Sequence, residues 1–189
     1  MNPQARLSWT DRDFFPILRD RPDTGPHVTK PILRRVTGVW LVALARRINR
    51  PDDSFGGVVS AATPLQHFQS LLTKVQLGHK GVVALRDADF GRLARHPPSP
   101  VAAAGTVGSQ VIPPGLQRAS TAGQTFSTYF TQRTSDGNER TVSFRQLAGL
   151  PFLLLVGLAT EDDLADWRVE VRNALFELAT FGAATAKPA

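Results

Sequence analysis

The stretch KPILRRVTGVWLVALARRI (residues 30–48), followed by FGGVVSAATPLQHFQSLL (residues 55–72), decides the fold. Its β-branched and aromatic residues on either side of Gly38 predict two strands of a hairpin, and GVVSAA predicts a third strand. From Pro64 onward the apolar residues recur at helical spacing, which predicts a connecting helix that ends near Gly78. This order of elements indicates an antiparallel meander joined to a helix.

The second strand of the hairpin carries apolar side chains on both of its faces. Alternation sends two sets of residues to opposite sides: Trp40, Val42, Leu44 and Arg46 to one, and Val39, Leu41, Ala43 and Ala45 to the other. Since both sets are mostly apolar, we expect a central strand that is covered on two sides.

The flanking sequence extends this pattern in both directions. Upstream, TDRDFFPIL (residues 10–18) predicts a short helix with Thr10 as its N-cap and with its length limited by Pro16. Downstream, residues 77–97 predict a second hairpin with a tight turn at DADFG. Residues 96–114, which are rich in proline and glycine, predict a long loop.

The last part of the chain predicts three more strands and a helix. The strands are TFSTYFTQRT, ERTVSFRQL and FLLLVGLA. Thr160, followed by three acidic residues, is a helix start, and an apolar stripe runs from Leu164 to Phe181. Taken together, the elements predict an α+β fold of antiparallel sheets with flanking helices.

Composition limits the kinds of protein that this chain can be. It has 189 residues, 42% of them hydrophobic, which suffices for the core of one domain or two small ones. It has no cysteine, which excludes disulfides, thiolate catalysis and cysteine-ligated metal sites. The net charge of +6 arises in the first half, because residues 1–96 contain 15 Lys and Arg against 8 Asp and Glu. Most of the basic residues are Arg, which favours bidentate contacts with anions, although a GC-rich coding genome would produce the same bias.

Motifs for catalysis and for metal or cofactor binding are absent from the sequence. It contains no phosphate-binding glycine loop, no H-E-x-x-H and no G-x-S-x-G. The four histidines are never paired at ligand spacing: His27, His67, His79 and His96. We therefore expect a protein that is not an enzyme and has no metal or cofactor.

Neither a signal peptide nor a transmembrane helix is predicted. The first 15 residues lack the apolar segment of a signal peptide. The longest apolar run, residues 150–159, contains Pro151 and Gly157 and is too short to span a bilayer, so it predicts a buried strand.

The arginines of the first half are the candidate functional residues. Arg34 and Arg46 each precede a second arginine on neighbouring predicted strands, and only one arginine of each pair can point inward. One interpretation is an anion pocket between the helical turn at Arg12 and the sheet, near the aromatic residues Phe14, Phe15 and Trp40. The alternatives are solvated charges at strand ends and a nucleic-acid patch, which the scarcity of aromatic side chains makes less favoured.

The order of the elements and several phrases resemble the double Cache (PAS-like) extracytoplasmic sensor domains of bacterial diguanylate cyclases, histidine kinases and chemoreceptors. Besides residues 30–48 and 55–72, the phrases are DRDFF (residues 11–15), LGHKGVVALRDADFGRLARHP (residues 77–97) and SDGNERTVSFRQLAGLPFLLLVGLATEDDLADWR (residues 135–168). The resemblance covers about residues 8–172.

The resemblance implies tandem Cache units in three parts. Residues 1–78 form a membrane-distal unit with the connecting helix, lacking its first helix and hairpin. Residues 79–160 form a second unit, and residues 161–189 form a helix toward the membrane. Since members of the family begin with a transmembrane helix, a long periplasmic helix and a first hairpin, the resemblance implies that Met1 follows a truncation or is a misplaced start.

The resemblance also implies a ligand site. Amino-acid-binding members use an arginine with a following aromatic pair, then a tyrosine and an aspartate, and a later aspartate for the ammonium group. Ile32 and Arg34 stand where the tyrosine and aspartate would be, and Ala62 where the later aspartate would be. A small anionic or carboxylate ligand is therefore implied. The candidate ligand-binding residues are Arg12, Phe14, Phe15, Arg34, Trp40 and Arg46.

The implied function is a non-catalytic sensor domain for extracellular small molecules. It would be periplasmic in a parent protein and would signal to a membrane-anchored output domain that is absent here, as in two-component systems or diguanylate cyclases. A homodimer is compatible with this function, and no nucleic-acid partner is expected. The alternatives are a degenerate fragment that no longer signals and a cytosolic Arg-rich module for nucleic acid or other interactions.

Overall fold

Two antiparallel sheets and several short helices form the described part of the chain. The computed structural model describes residues 12–22, 25–34, 37–132, 134 and 136–163. The helices are α1 (Phe14–Asp20), α2 (Leu65–Leu72), α3 (Ala102–Gly105), α4 (Pro114–Thr121) and α5 (Thr160–Asp163). The strands are β1 (His27–Val28), β2 (Ile32–Leu33), β3 (Trp40–Asn49), β4 (Phe55–Pro64), β5 (Val82–Asp87), β6 (Arg92–His96), β7 (Phe126–Thr131), β8 (Arg140–Gln146) and β9 (Phe152–Ala159).

The first sheet is built around β3. β4 pairs with β3 along its length, while β1 and β2 pair with successive parts of it, all antiparallel. The sequence predicts one continuous outer strand, which the structure interrupts at Pro31, a residue without a backbone N–H to donate. Beside the interruption, the buried Thr29 hydroxyl accepts a hydrogen bond of 2.9 Å from the backbone N–H of Ala43. The predicted meander is therefore present with a broken outer strand.

The two faces of β3 have different surroundings. The face that carries Ala45 is buried under α1. On the opposite face Val42 packs with α2, whereas Trp40 and Leu44 are 38% and 45% exposed. The expectation that β3 is covered on both sides is therefore correct for the first face and for Val42 on the second face, but not for Trp40 and Leu44.

The predicted helix upstream of the first sheet is α1. Phe14 and Leu18 pack against the sheet and are buried. Pro16 lies in the first turn of α1, where a missing N–H is tolerated, and the helix continues beyond it to Asp20. The predicted N-cap Thr10 lies outside the described residues.

The second sheet has the strand order β6-β5-β9-β8-β7 and is antiparallel throughout. The predicted β5–β6 hairpin and the predicted β7–β9 meander are joined by the pairing of β9 with β5. α2 packs on one face, against Val83 and Leu85, and α4 packs on the other, against Ala84. The sequence does not predict α4, because its Pro114-Gly115 start is typical of a loop.

The second sheet leads directly into α5, which begins at Thr160 as predicted. The Asp162 carboxylate accepts a 2.6 Å hydrogen bond from the backbone N–H of Lys80, and the Lys80 ammonium pairs with Glu161. These contacts hold the start of α5 against the segment between α2 and β5. The apolar stripe predicted over residues 164–181 lies outside the described residues.

Two further expectations concern transmembrane helices and the boundaries of the predicted units. Within the part of the chain that the structure describes, no helix is long and apolar enough to cross a bilayer. The unit ranges 1–78, 79–160 and 161–189 stay predictions.

Candidate functional site

A cavity of about 350 Å³ lies where the two sheets meet. Its walls are α1, the β1–β2 segment, the β5–β6 turn and the start of β9. The buried rings of Phe14 and Phe152 supply apolar surface. Charged side chains of both signs complete the lining: Arg12, Asp13, Lys30, Asp87 and Asp89. A partly apolar small molecule with charged groups fits such a space.

The β5–β6 turn brings two of these carboxylates to the cavity. Oδ1 of Asp87 accepts hydrogen bonds from the backbone N–H groups of Asp89 and Gly91, at 3.0 and 2.7 Å. A Cβ at Gly91 would lie 2.5 Å from Oδ2 of Asp87, so a larger residue here would have to displace the Asp87 carboxylate. The sequence predicts the tight turn, and aspartates in turns are typical acceptors of local backbone hydrogen bonds. The hydrogen bonds confirm the turn and show this local role for Asp87, whereas the Asp89 carboxylate pairs with Lys30.

One ion pair bridges the first sheet and this turn. The Lys30 ammonium lies 2.6 Å from Oδ2 of Asp89. The hydrogen bond to Asp89, aided by its charge, raises the pKa of Lys30. Both side chains are mostly exposed, so solvent screens the pair and it adds little to stability. A charged ligand can therefore replace either partner at small cost.

The structure brings two of the six predicted site residues to the cavity. Arg12 and Phe14 both line it. Phe15, the next residue of α1, packs instead edge-on against Phe55, with the ring centroids 5.7 Å apart. The aromatic pair is thus divided between the cavity and the β4 side of the helix.

The other three predicted residues lie elsewhere. Arg34 is exposed in the β2–β3 turn, where its backbone N–H donates to the carbonyl of Val39 at 3.0 Å. Trp40 lines a separate hollow beside α2, and Arg46 is exposed on β3. Ligand contact by any of the six stays a prediction.

Arg47, rather than Arg46, points toward α1. Its Nη1 donates to the carbonyl of Leu18 at 3.0 Å and also to that of Arg19, and its guanidinium lies 5.1 Å from the centre of the Phe55 ring. A cation is favourable at the last turn of a helix, so this arginine is structural. Alternation predicts that one arginine of the pair points inward, but the position of α1 decides which one.

The expectation that the cavity has no acid is wrong. Asp13 and the two aspartates of the β5–β6 turn line it, while Arg34, at the position compared with an aspartate, does not. Spacing within the first part of the chain cannot reveal Asp87 and Asp89, because they belong to a hairpin of the other sheet.

A second charged cluster lies at the start of β8. The Asp136 carboxylate accepts hydrogen bonds from Arg140 at 2.6 and 2.9 Å and from Arg95 at 2.9 Å. Burial raises the pKa of the Asp136 carboxyl, but hydrogen bonds from Arg140 and Thr134 and the charge of Arg140 outweigh it and hold this pKa well below its usual range. Arg140 also donates from Nε to the carbonyl of Lys80 at 2.7 Å. The cluster thereby connects β8 to the start of β5.

Metal and nucleic-acid sites are not evident in the described residues. Within that part of the chain, no three His, Asp or Glu side chains lie close enough together to hold a metal ion. Arg86, Arg92 and Arg140 are buried. Buried arginines cannot contribute to an exposed phosphate-binding patch. Arg34 and Arg46, which the nucleic-acid alternative would use, are exposed, so that alternative stays a prediction.

Comparison with solved structures identifies the fold. No family model matches the chain, and no curated protein gives a significant match. The chain is similar to the extracellular domain of rpHK1S-Z16, described as a histidine kinase, with 24% identity and a TM-score of 0.70 over 88% of this chain and 67% of that one. It is similar to the ligand-binding domain of the Pseudomonas fluorescens chemoreceptor CtaA, with 21% identity and a TM-score of 0.55 over 83% of this chain and 62% of that one.

A third similar structure is the periplasmic sensory domain of the Campylobacter jejuni chemoreceptor Tlp1. It has 13% identity and a TM-score of 0.63 over 81% of this chain and 56% of that one. The chain thus spans between 56% and 67% of the lengths of these three structures. The predicted fold is confirmed: the chain has the α+β, Cache (PAS-like) fold of extracellular sensor domains.

Proposed function

We propose that this chain is the ligand-binding part of an extracytoplasmic sensor, and that its cavity between the two sheets binds a small molecule of the amino-acid class. The main support for this proposal is that side chains of both charge signs line the cavity. Arg12 and Lys30 supply positive charge and Asp87 and Asp89 supply negative charge around one apolar space of about 350 Å³. A ligand with both a carboxylate and an ammonium group matches both signs through charge-assisted hydrogen bonds.

Similar structures support this ligand class. CtaA of Pseudomonas fluorescens is in complex with L-leucine, and Tlp3 of Campylobacter jejuni, with a TM-score of 0.54, is in complex with L-norvaline. A purely anionic ligand fits the cavity less well, because it would leave Asp87 and Asp89 facing a negative charge. The carboxylate group of the ligand is retained from the sequence prediction, and Arg12 is its proposed partner.

The cavity is connected to the end of the described chain through the second sheet. Asp87 ends β5, β5 pairs with β9, and β9 continues into α5. Binding to the β5–β6 turn would therefore bias the strand that leads into α5. In a longer parent protein, this is the proposed route by which ligand binding reaches an output domain.

Calorimetric titration of the full chain tests the ligand class. Leucine and norvaline are compared with 4-methylpentanoate and pentanoate, which have the same carbon chains without the ammonium group. We expect each amino acid to bind at least about tenfold more tightly than its matched acid, because one charge-assisted hydrogen bond contributes about 1.5–3 kcal/mol. Equal affinities within a pair would contradict the assignment of Asp87 and Asp89.

Two variants and one matched control test the site. Arg12→Gln is expected to weaken amino-acid binding at least about tenfold, and Asp89→Asn to weaken it while sparing the matched acids. Arg46→Gln removes an exposed arginine that does not line the cavity, so it should bind as the unsubstituted protein does. Unchanged affinity in Arg12→Gln would place the ligand elsewhere.

A further inference from the structure

A second cavity, of about 330 Å³, lies on the face of the second sheet that α4 covers. It is bounded by β5, β6, β8 and β9 and by the connection that leads from β6 to α4. Its floor is apolar and includes Val82, Ala84, Val142 and Leu155. Four arginines line it as well: Arg86, Arg92, Arg95 and Arg140.

Two of these arginines lie directly opposite each other. Arg86 of β5 and Arg92 of β6 are partners in the strand register, and each residue is only 8% exposed. Like charges at directly opposed positions of a sheet are destabilising. Burial, aided by the charge of Arg92, lowers the pKa of Arg86 to about 10, so both groups remain charged at neutral pH.

Neither guanidinium has a carboxylate partner within the described residues. Arg86 donates to carbonyl groups of Phe90 at 2.5 Å, Ser109 at 3.2 Å and Val111 at 2.7 Å, and its buried Nε has no partner. Arg92 has no hydrogen-bond or ion-pair partner for its side chain in this part of the chain. A buried donor without a partner is costly, and this applies to the Nε of Arg86. The Arg92 guanidinium lines the same cavity, so one acceptor from outside the chain can serve both groups.

The other two arginines differ from this pair. Arg95 and Arg140 are both bonded to the Asp136 carboxylate. Among the described residues, Asp136 is the one carboxylate that pairs directly with any of the four guanidinium groups, so the unpaired positive charge is concentrated at Arg86 and Arg92. The cavity also contrasts with the one between the sheets, where aspartates line the wall.

We propose that this second cavity binds a small organic carboxylate, whose negative oxygens lie between Arg92 and the Nε of Arg86 and whose carbon skeleton covers the apolar floor. Arginine forks match carboxylates in a bidentate manner. The volume is near the lower limit of ligand cavities, which favours a short mono- or dicarboxylate over a larger ligand. The site is separate from the amino-acid site, because none of its lining residues lines the other cavity.

Thermal unfolding and calorimetry of the full chain with succinate, malonate, butyrate and inorganic phosphate test this site, with ionic strength held constant by NaCl. A saturable rise in Tm of about 5 °C or more is expected at a hundredfold excess of a bound carboxylate over its Kd. Binding of phosphate with no response to the carboxylates would overturn the carboxylate assignment. A response that NaCl alone reproduces would overturn the site.

Arg92→Gln is the decisive variant, because the Arg92 side chain makes no hydrogen bond or ion pair within the described residues, whereas Arg86 anchors the connection to α4. We expect at least a tenfold loss of carboxylate affinity, with the ligand-free Tm unchanged or higher because the opposed charges are relieved. Arg92→Lys, which keeps the charge without the fork, should bind with intermediate affinity. Arg145→Gln removes an exposed arginine from the same sheet and should bind normally. If Arg92→Gln binds the carboxylates with full affinity while amino acids still bind at the first cavity, the proposed carboxylate site is refuted and the amino-acid site is not.

Discussion

Replacing Asp136 by Asn removes the negative charge that two arginines share at the start of β8. Arg140 is only 1% exposed and donates twice to this carboxylate, and Arg95 donates once. Asn keeps one side-chain oxygen as an acceptor, while its amide NH₂ faces guanidinium donors. Asp136→Asn therefore leaves two buried cations with a single neutral acceptor between them.

The size of the effect follows from burial. Removing one partner of a buried ion pair costs about 3–5 kcal/mol, because the other charge stays behind. Arg95 and Asp136 keep 10% of their side-chain surface exposed, so we expect the lower limit, about 3 kcal/mol. For a chain of this length, that loss corresponds to a decrease in Tm of about 6–12 °C.

The pH dependence identifies the charge as the cause. The pKa of Asp136 is lower in the folded state than its ordinary value of 3.8. Its contribution to stability is therefore complete above that value and is lost as the pH falls through it toward the folded pKa. Urea unfolding at pH 7, 5 and 3 should show a constant difference between the native chain and Asp136→Asn at the two higher values, and a smaller difference at pH 3.

The control is an ion pair of the same type on the surface. Arg19 and Asp20 are 53% and 59% exposed, so solvent screens them. Asp20→Asn should leave the free energy of unfolding unchanged within error at every pH. If Asp136→Asn unfolds like the native chain at pH 7, or if its difference persists unchanged at pH 3, the argument from buried charge is refuted.

Three further predictions concern packing and the two cavities. Thr29→Val leaves the buried N–H of Ala43 without its acceptor and should cost about 1–3 kcal/mol in urea unfolding; an unchanged midpoint would contradict the assigned hydrogen bond. Gly115→Ala places a Cβ 2.2 Å from the ring of Tyr129 and should lower Tm, whereas Gly105→Ala, with no contact closer than 3.9 Å, should not. Because one turn connects both cavities, an amino acid and a carboxylate should change each other's Kd by the same factor in calorimetry; independent affinities would show that the turn transmits nothing.

The strands were predictable because local patterns determine them. Alternating apolar residues, the Gly38 turn and the DADFG turn place the strands of both sheets correctly, and hydrogen bonding confirms the turns. The connection of β5 to β9 is not local, since it joins segments that are separated by three strands (β6, β7 and β8) and two helices (α3 and α4). It nevertheless decides which face of the second sheet α2 covers and which face is left for α4.

The first cavity was predictable only in part for a related reason. Arg12 and Phe14 precede the first sheet, and spacing within one stretch of sequence identifies them. Asp87 and Asp89 come from a hairpin of the other sheet, so the cavity has acids that the first stretch does not contain. Spacing within one stretch therefore predicts a cavity without acids even where it identifies residues that line the cavity.

The sequence holds part of the information about the second cavity, the one that four arginines line. A tight turn at DADFG already fixes Arg86 opposite Arg92, since the two residues flank the turn symmetrically. What the pattern lacks is the direction in which they point, because β5 is apolar on both faces and alternation alone does not distinguish solvent from interior. The carbonyl groups of the β6–α4 connection and α4 itself bury this face, and α4 is the helix that the sequence does not predict. An opposed arginine pair on an exposed hairpin is an ordinary solvated surface, whereas the same pair beneath a helix and a loop requires an anion. The position of α4, which the sequence does not predict, therefore decides whether this arginine pair is an ordinary solvated surface or part of a binding site.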